Sequence, residues 1–105
     1  MITYIFINDG SGEFVPEFQT DIVPMCEGDI GIRDLSGDGA PEIIITGRSM
    51  IDSAGTIIIV DDSFYYMNDG SGNFTLEESA DLANAMYSHV GIVDIDQDND
   101  NDLVL

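Results

Sequence analysis

The chain has 105 residues, with 21 Asp+Glu against 2 Lys+Arg and a formal net charge of −19. That length holds one small domain, and the charge excludes a nucleic-acid binder that neutralises phosphates and a protein that docks on an anionic membrane surface. Because 44% of the residues are hydrophobic, the chain has core-forming material and does not read as disordered. The excess charge must be solvated or neutralised, and metal cations are the obvious counterions.

In chain order the local signals are those of β-structure. Tyr4-Ile5-Phe6-Ile7 is a short aromatic and β-branched run that ends at Asn8-Asp9-Gly10-Ser11-Gly12. A glycine-rich turn after such a run predicts a hairpin, with Phe14 opening the return strand. Ile30-Gly31-Ile32 predicts a strand that feeds an acidic loop, and Ile43-Ile44-Ile45 leaves that loop as a strand buried on both faces. Thr56–Val60 adds a strand within a longer middle connection, 46–60. Phe64–Met67, the turn Asn68-Asp69-Gly70-Ser71-Gly72 and Phe74 then repeat the opening hairpin. Leu76–Met86 is the one stretch with helical character, but its counterpart carries Pro16 and Pro24, which speak against a helix. Val90–Val93 and Leu103–Leu105 close the series. The expected class is all-β.

The other absences are equally informative. The opening residues Met1–Ile7 lack a basic region and a small-residue cleavage site, so no signal peptide is expected there. No apolar run approaches the roughly 18 residues of a membrane-spanning helix. Cys26 is the single cysteine and reads as a small apolar residue, without an intramolecular disulfide. One histidine, His89, and no histidine–cysteine cluster make zinc a poor candidate.

The sequence is a duplication. At an offset of 60, residues 1–45 align without gaps on 61–105 with 12 identities over 45 positions, concentrated in turns and acids. A period of this size points to a repeat architecture. Both copies contain an acidic loop. Asp34, Ser36, Asp38 and Glu42 occupy loop positions 1, 3, 5 and 9, as do Asp94, Asp96, Asp98 and Asp102. Calcium takes 6–8 oxygens at about 2.3–2.6 Å, and ligands at alternating positions wrap one side of such an ion. A residue with positive φ at position 6, Gly39 or Asn99, turns the chain so that the carbonyl of Ala40 or Asp100 at position 7 points inward. The Asp100 side chain is then expected in solvent. An EF-hand is excluded, since position 12 is Ile45 or Leu105 rather than Glu and strands flank the loops. Magnesium, which keeps several waters, fits less well. Four carboxylates in the second loop against three in the first predict tighter calcium binding at the second.

These motifs together, N-D-G-S-G-x-F, then x-G-I-x-D, then D-x-[DS]-x-D-[GN]-x-x-[DE] before an apolar strand, resemble the FG-GAP/VCBS repeat over 1–45 and 61–105. The resemblance implies four-stranded antiparallel propeller blades, with about two calcium ions per chain in the loops between first and second strands. Such repeats also build lectin propellers. Ser36, Glu42 and Asn99 depart from the usual loop residues, and 46–60 is long for a blade connection.

Two blades cannot close a propeller, which typically needs 4–8. The expectation is therefore a homo-oligomer joined head to tail, with Asp102–Leu105 of one subunit beside Thr3–Ile7 of the next. Three chains then give six blades and four give eight, inside that same range of roughly 4–8. The rival expectation is a fragment of a longer propeller. For function, the leading reading is a calcium-stabilised binding or adhesion module at the cell surface or outside it, for a glycan or protein ligand. Tyr65, Tyr66, Tyr87 and Phe64 are candidate sugar-stacking aromatics, although most aromatics at strand spacing belong to a core. The alternatives are a purely structural unit and, with less support, a glycan-active enzyme using a pair of carboxylates.

Overall fold

A computed structural model describes residues 2–19 and 21–105. Met1, the repeat counterpart of Asp61, lies outside the described residues. Eight strands are formed: β1 (Thr3–Asn8), β2 (Phe14–Gln19), β3 (Ile30–Arg33), β4 (Glu42–Ser53), β5 (Thr56–Asn68), β6 (Phe74–Leu76), β7 (Gly91–Val93) and β8 (Asp102–Val104). The described residues contain no helix. Leu76–Met86 leaves β6 and runs on through turns, in keeping with its proline-bearing counterpart.

The strands make three antiparallel sheets: β1-β2, β3-β4-β5-β6 and β7-β8. Each Asn-Asp-Gly-Ser-Gly segment is a hairpin turn, because its own side chains satisfy its backbone. Gly10 N–H donates to Asn8 Oδ1 at 2.9 Å and Ser11 N–H to Asp9 Oδ1 at 2.8 Å. Gly70 and Ser71 repeat both bonds, at 2.9 and 2.8 Å. The second turn adds Asn73 Nδ2 donating to Asp69 Oδ2, which with the Ser71 bonds holds the Asp69 carboxyl well below the usual carboxylate range.

The middle of the chain holds the expected strand Thr56–Val60 as the start of β5, but the stretch before it is strand as well, not loop. Residues 46–53 continue β4 and 56–60 begin β5, so that Ala54-Gly55 alone makes the turn. Both turn residues have positive φ, 51° and 82°, the geometry of a two-residue hairpin whose twist matches its strands. Thr46 and Ser49, polar residues that read as loop, are buried on β4. Thr46 is satisfied there by Asp29 N–H and the Ser88 hydroxyl, which donate to its Oγ1 at 3.2 and 2.8 Å.

The four-stranded sheet carries the core. Ile22, Ile43 and Tyr66 are buried, with Ile5, Ile45, Phe64, Phe74 and Leu76 packed on them. Val23 N–H donates to the Tyr66 hydroxyl at 3.0 Å, so the one polar atom of that ring is paired inside the core. By the 60-residue offset, β3-β4 is the counterpart of β7-β8, and the second half of β5 with β6 is the counterpart of β1-β2. The central sheet thus joins the back half of one repeat to the front half of the next.

The two repeats meet at a polar junction. Glu27 and Tyr87, counterparts by the offset, share left-handed φ values of 56° and 50°, and Tyr87 N–H donates to the Glu27 carbonyl at 2.6 Å. Arg48 from β4 reaches both Glu27, at 3.1 Å, and Asp61, at 2.8 Å. Asp29 accepts from Ile30 N–H and Val90 N–H at 2.9 and 3.0 Å, which lowers its carboxyl below the ordinary value. Gly28 lies so close to the Thr46 carbonyl that a Cβ has no room there.

Candidate metal centres

Both acidic loops link a strand pair, β3 to β4 and β7 to β8, and both fold by one hydrogen-bond scheme. The acid at position 9 reaches back to the start of the loop: Leu35 N–H donates to Glu42 Oε2 at 2.7 Å, and Ile95 N–H to Asp102 Oδ2 at 2.8 Å. The acid at position 1 caps the turn at position 6. Gly39 N–H donates to Asp34 Oδ2 at 2.8 Å, and Asn99 N–H to Asp94 Oδ2 at 3.0 Å. The acid at position 5 accepts from position 7, from Ala40 N–H at 2.8 Å and Asp100 N–H at 2.9 Å. The expected positive φ at position 6 is present, 90° at Gly39 and 77° at Asn99. The Asp100 side chain is exposed, as expected.

This folding gathers carboxylates. Oxygens of Asp34, Asp38 and Glu42 lie within 4.8 Å of one another, and so do those of Asp94, Asp96 and Asp102. Either group could hold a metal ion. Ser36 sits at the first group, its Oγ 3.5 Å from Glu42 Oε1. Asp98 falls outside the second group, so the four-carboxylate set of the sequence is a set of three in the structure. What Ala40 and Asp100 contribute here is their N–H, and a carbonyl ligand from either belongs to the calcium reading.

The groups differ in burial. Glu42 is 0% exposed, whereas Asp102 is half-buried. Ser36 N–H supplies Glu42 Oε2 with a second bond at 3.0 Å. Close to the first group stands Tyr65, whose phenol is pushed up by burial and then by the negative charges of Glu42, Glu77, Asp34 and Asp38. The two loops also touch, since Asn101 Nδ2 donates to the Asp34 carbonyl at 3.1 Å.

Three features here escape a reading of the sequence. Position 4 also has positive φ, 79° at Gly37 and 65° at Gln97, and only the glycine signals it. The Asn101 bridge and the Arg48 junction carry no local signal. Among the candidate stacking aromatics, Tyr66 is core, Phe64 and Tyr65 are half-buried, and Tyr87 is exposed but bonded to Glu27. An apolar cleft of about 400 Å³ lies between β1 and β3, lined by Tyr4, Ile5, Ile7, Ile30, Ile32 and Phe74 among others. No protein-family model, curated protein or solved structure matches the chain.

Proposed function

We propose that the chain is a calcium-stabilised β-repeat module of the FG-GAP/VCBS kind, serving binding or adhesion outside the cell. The observation that carries the metal is Glu42. A carboxylate with no exposure, in a group with Asp34 and Asp38, is costly to bury unless a cation balances it. Two backbone N–H groups orient it, and they bring no net charge. An oxygen-only donor set suits a hard cation, and the matched second group extends the same argument to a second ion.

The ligand proposed for the module is a glycan or a protein. The clustered carboxylates are needed to hold the metal, which leaves a glycan-active enzyme as the weaker reading. A carboxylate pair for glycoside hydrolysis stands roughly 5–9.5 Å apart across a cleft. The purely structural reading gains from the apolar cleft, whose lining offers few polar groups to orient a sugar.

Calorimetric titration with calcium tests the metal, with magnesium as the comparison. We expect about two calcium ions per chain and weaker magnesium binding; a flat calcium titration would overturn the proposal. A glycan array with and without chelator then separates the ligands. Chelator-sensitive sugar binding supports the lectin-like reading, and calcium stabilisation with no sugar or protein ligand supports the scaffold.

A further inference from the structure

The 60-residue offset gives every strand a counterpart, and the central sheet shows how the halves of two repeats join. In that sheet β4 pairs with β5 in the register Ile43↔Tyr66, Ile44↔Tyr65, Ile45↔Phe64. The counterparts of β4 and β5 are β8 and β1, and these do not pair with each other. β8 is bonded to β7 and β1 to β2, which leaves the other edge of each without a partner strand among the described residues.

The two edges have the chemistry of the pair they lack. Leu103, Val104 and Leu105 stand where the central sheet has three isoleucines, and Phe6, Ile5 and Tyr4 where it has Tyr66, Tyr65 and Phe64. Burial shows the difference. Ile44 is 1% and Tyr66 0% exposed, whereas Val104 is 47% and Phe6 58% exposed. Open edges are normally protected by charge, because they invite pairing with another chain. Here a chain with 21 acids places no charged residue in Thr3–Asn8 and none in Leu103–Leu105.

We infer that β8 of one copy pairs with β1 of a second copy, antiparallel, in the register Leu103↔Phe6, Val104↔Ile5 and Leu105↔Tyr4. The result is a four-stranded sheet β7-β8-β1-β2 equivalent to the central one. The contact is heterologous, so successive copies build a ring where the rotation closes. Asp102 belongs both to β8 and to the second acidic group. Its place in that group makes the junction dependent on calcium, and this dependence alone rests on the proposed metal binding.

The test uses the 105-residue chain with Cys26→Ser, so that introduced cysteines act alone. Facing residues of an antiparallel pair lie about 4.5–5.5 Å apart at Cα, within disulfide reach. Ile5→Cys with Val104→Cys is expected to give covalent multimers on mild oxidation in calcium. Tyr4→Cys with Val104→Cys, one residue out of register and on the opposite face, is expected to give at least tenfold less. Equal cross-linking by both pairs, or none by either, overturns the register.

Sedimentation of the unsubstituted chain guards against a misfolded variant. A discrete multimer at micromolar concentration is expected, and a monomer in calcium overturns the pairing between copies. The metal is read separately, by calcium titration of the same samples. Calcium binding with a monomer means that this inference alone fails. Cross-links in the predicted register without calcium binding mean that the metal reading alone fails.

Discussion

The two acidic loops share a spacing and a hydrogen-bond scheme, yet one closes on a buried glutamate and the other on a half-exposed aspartate. The cause lies in the strands that follow. β4 has β3 on one side and β5 on the other, and Glu42 at its start is buried; among the described residues β8 is paired with β7 alone. Local sequence sets the shape of such a loop, and the neighbouring strand decides how much water reaches it. The electrostatic consequence of one motif therefore depends on a partner far away in sequence.

Calcium should expose the contrast most strongly. At a concentration about 1,000-fold above the dissociation constant, each site adds about 4 kcal/mol to stability. A chelator should reverse this in a thermal melt. Asp34→Ala and Asp94→Ala then separate the sites by calorimetry. The second loop, with Asp96 in place of Ser36 and more acids around it, is expected to bind more tightly, and equal residual affinities would sink that ranking.

Stability should rank the loops the other way. Glu42→Ala leaves the part-buried Leu35 N–H and Ser36 N–H without their acceptor, a loss of about 1–3 kcal/mol that release of the buried charge offsets in part when no ion is bound. Asp102→Ala, with water at hand, should cost less than about 1 kcal/mol. Urea denaturation in chelator measures both, and equal losses would remove the contrast in burial.

Acid should act on the junction between the repeats. The Asp29 carboxyl is lowered from 3.8 first by Val90 N–H, then by Ile30 N–H, with smaller help from His89. A lowered carboxyl contributes stability that is complete above 3.8 and is lost as pH falls through the folded-state value. Asp29→Asn should flatten the fall in stability as pH drops below 3.8, the side to which the carboxyl is shifted. An unchanged profile would mean that the junction does not feel the charge.

The smallest effect concerns position 4 of the loops. Gln97 holds a left-handed φ of 65° where the first loop has Gly37. Gln97→Gly should relieve strain and raise stability by about 1 kcal/mol, and Gly37→Gln should lower it by a similar amount. Denaturant midpoints measure both.

The strands and turns were legible because their causes are local. Asn8 and Asp9 bond the next residues of their own turn, and alternating acids fold back on their own loop, so identity and spacing suffice. The length of β4 and β5 was not legible, because Thr46 and Ser49 are polar, and Thr46 gains its partners, Asp29 and Ser88, only when the chain has folded. Arg48 and Met86 meet across 38 positions with no pattern to announce it. The place of Asp98 outside the second group was hidden as well, since its spacing and its bond from Asp100 N–H match those of Asp38, which does join the first group.

The β4–β5 hairpin has a kinetic consequence. Its eleven register pairs join residues that close outward from Ala54-Gly55, so little chain entropy is lost as each pair forms. Hairpins of this kind form in about 1–10 μs, well ahead of contacts between distant segments. The ladder then stands as a seed on which Glu42 and the first loop assemble. An ion or a further strand that joins after this hairpin has formed should stabilise by slowing unfolding rather than by speeding folding.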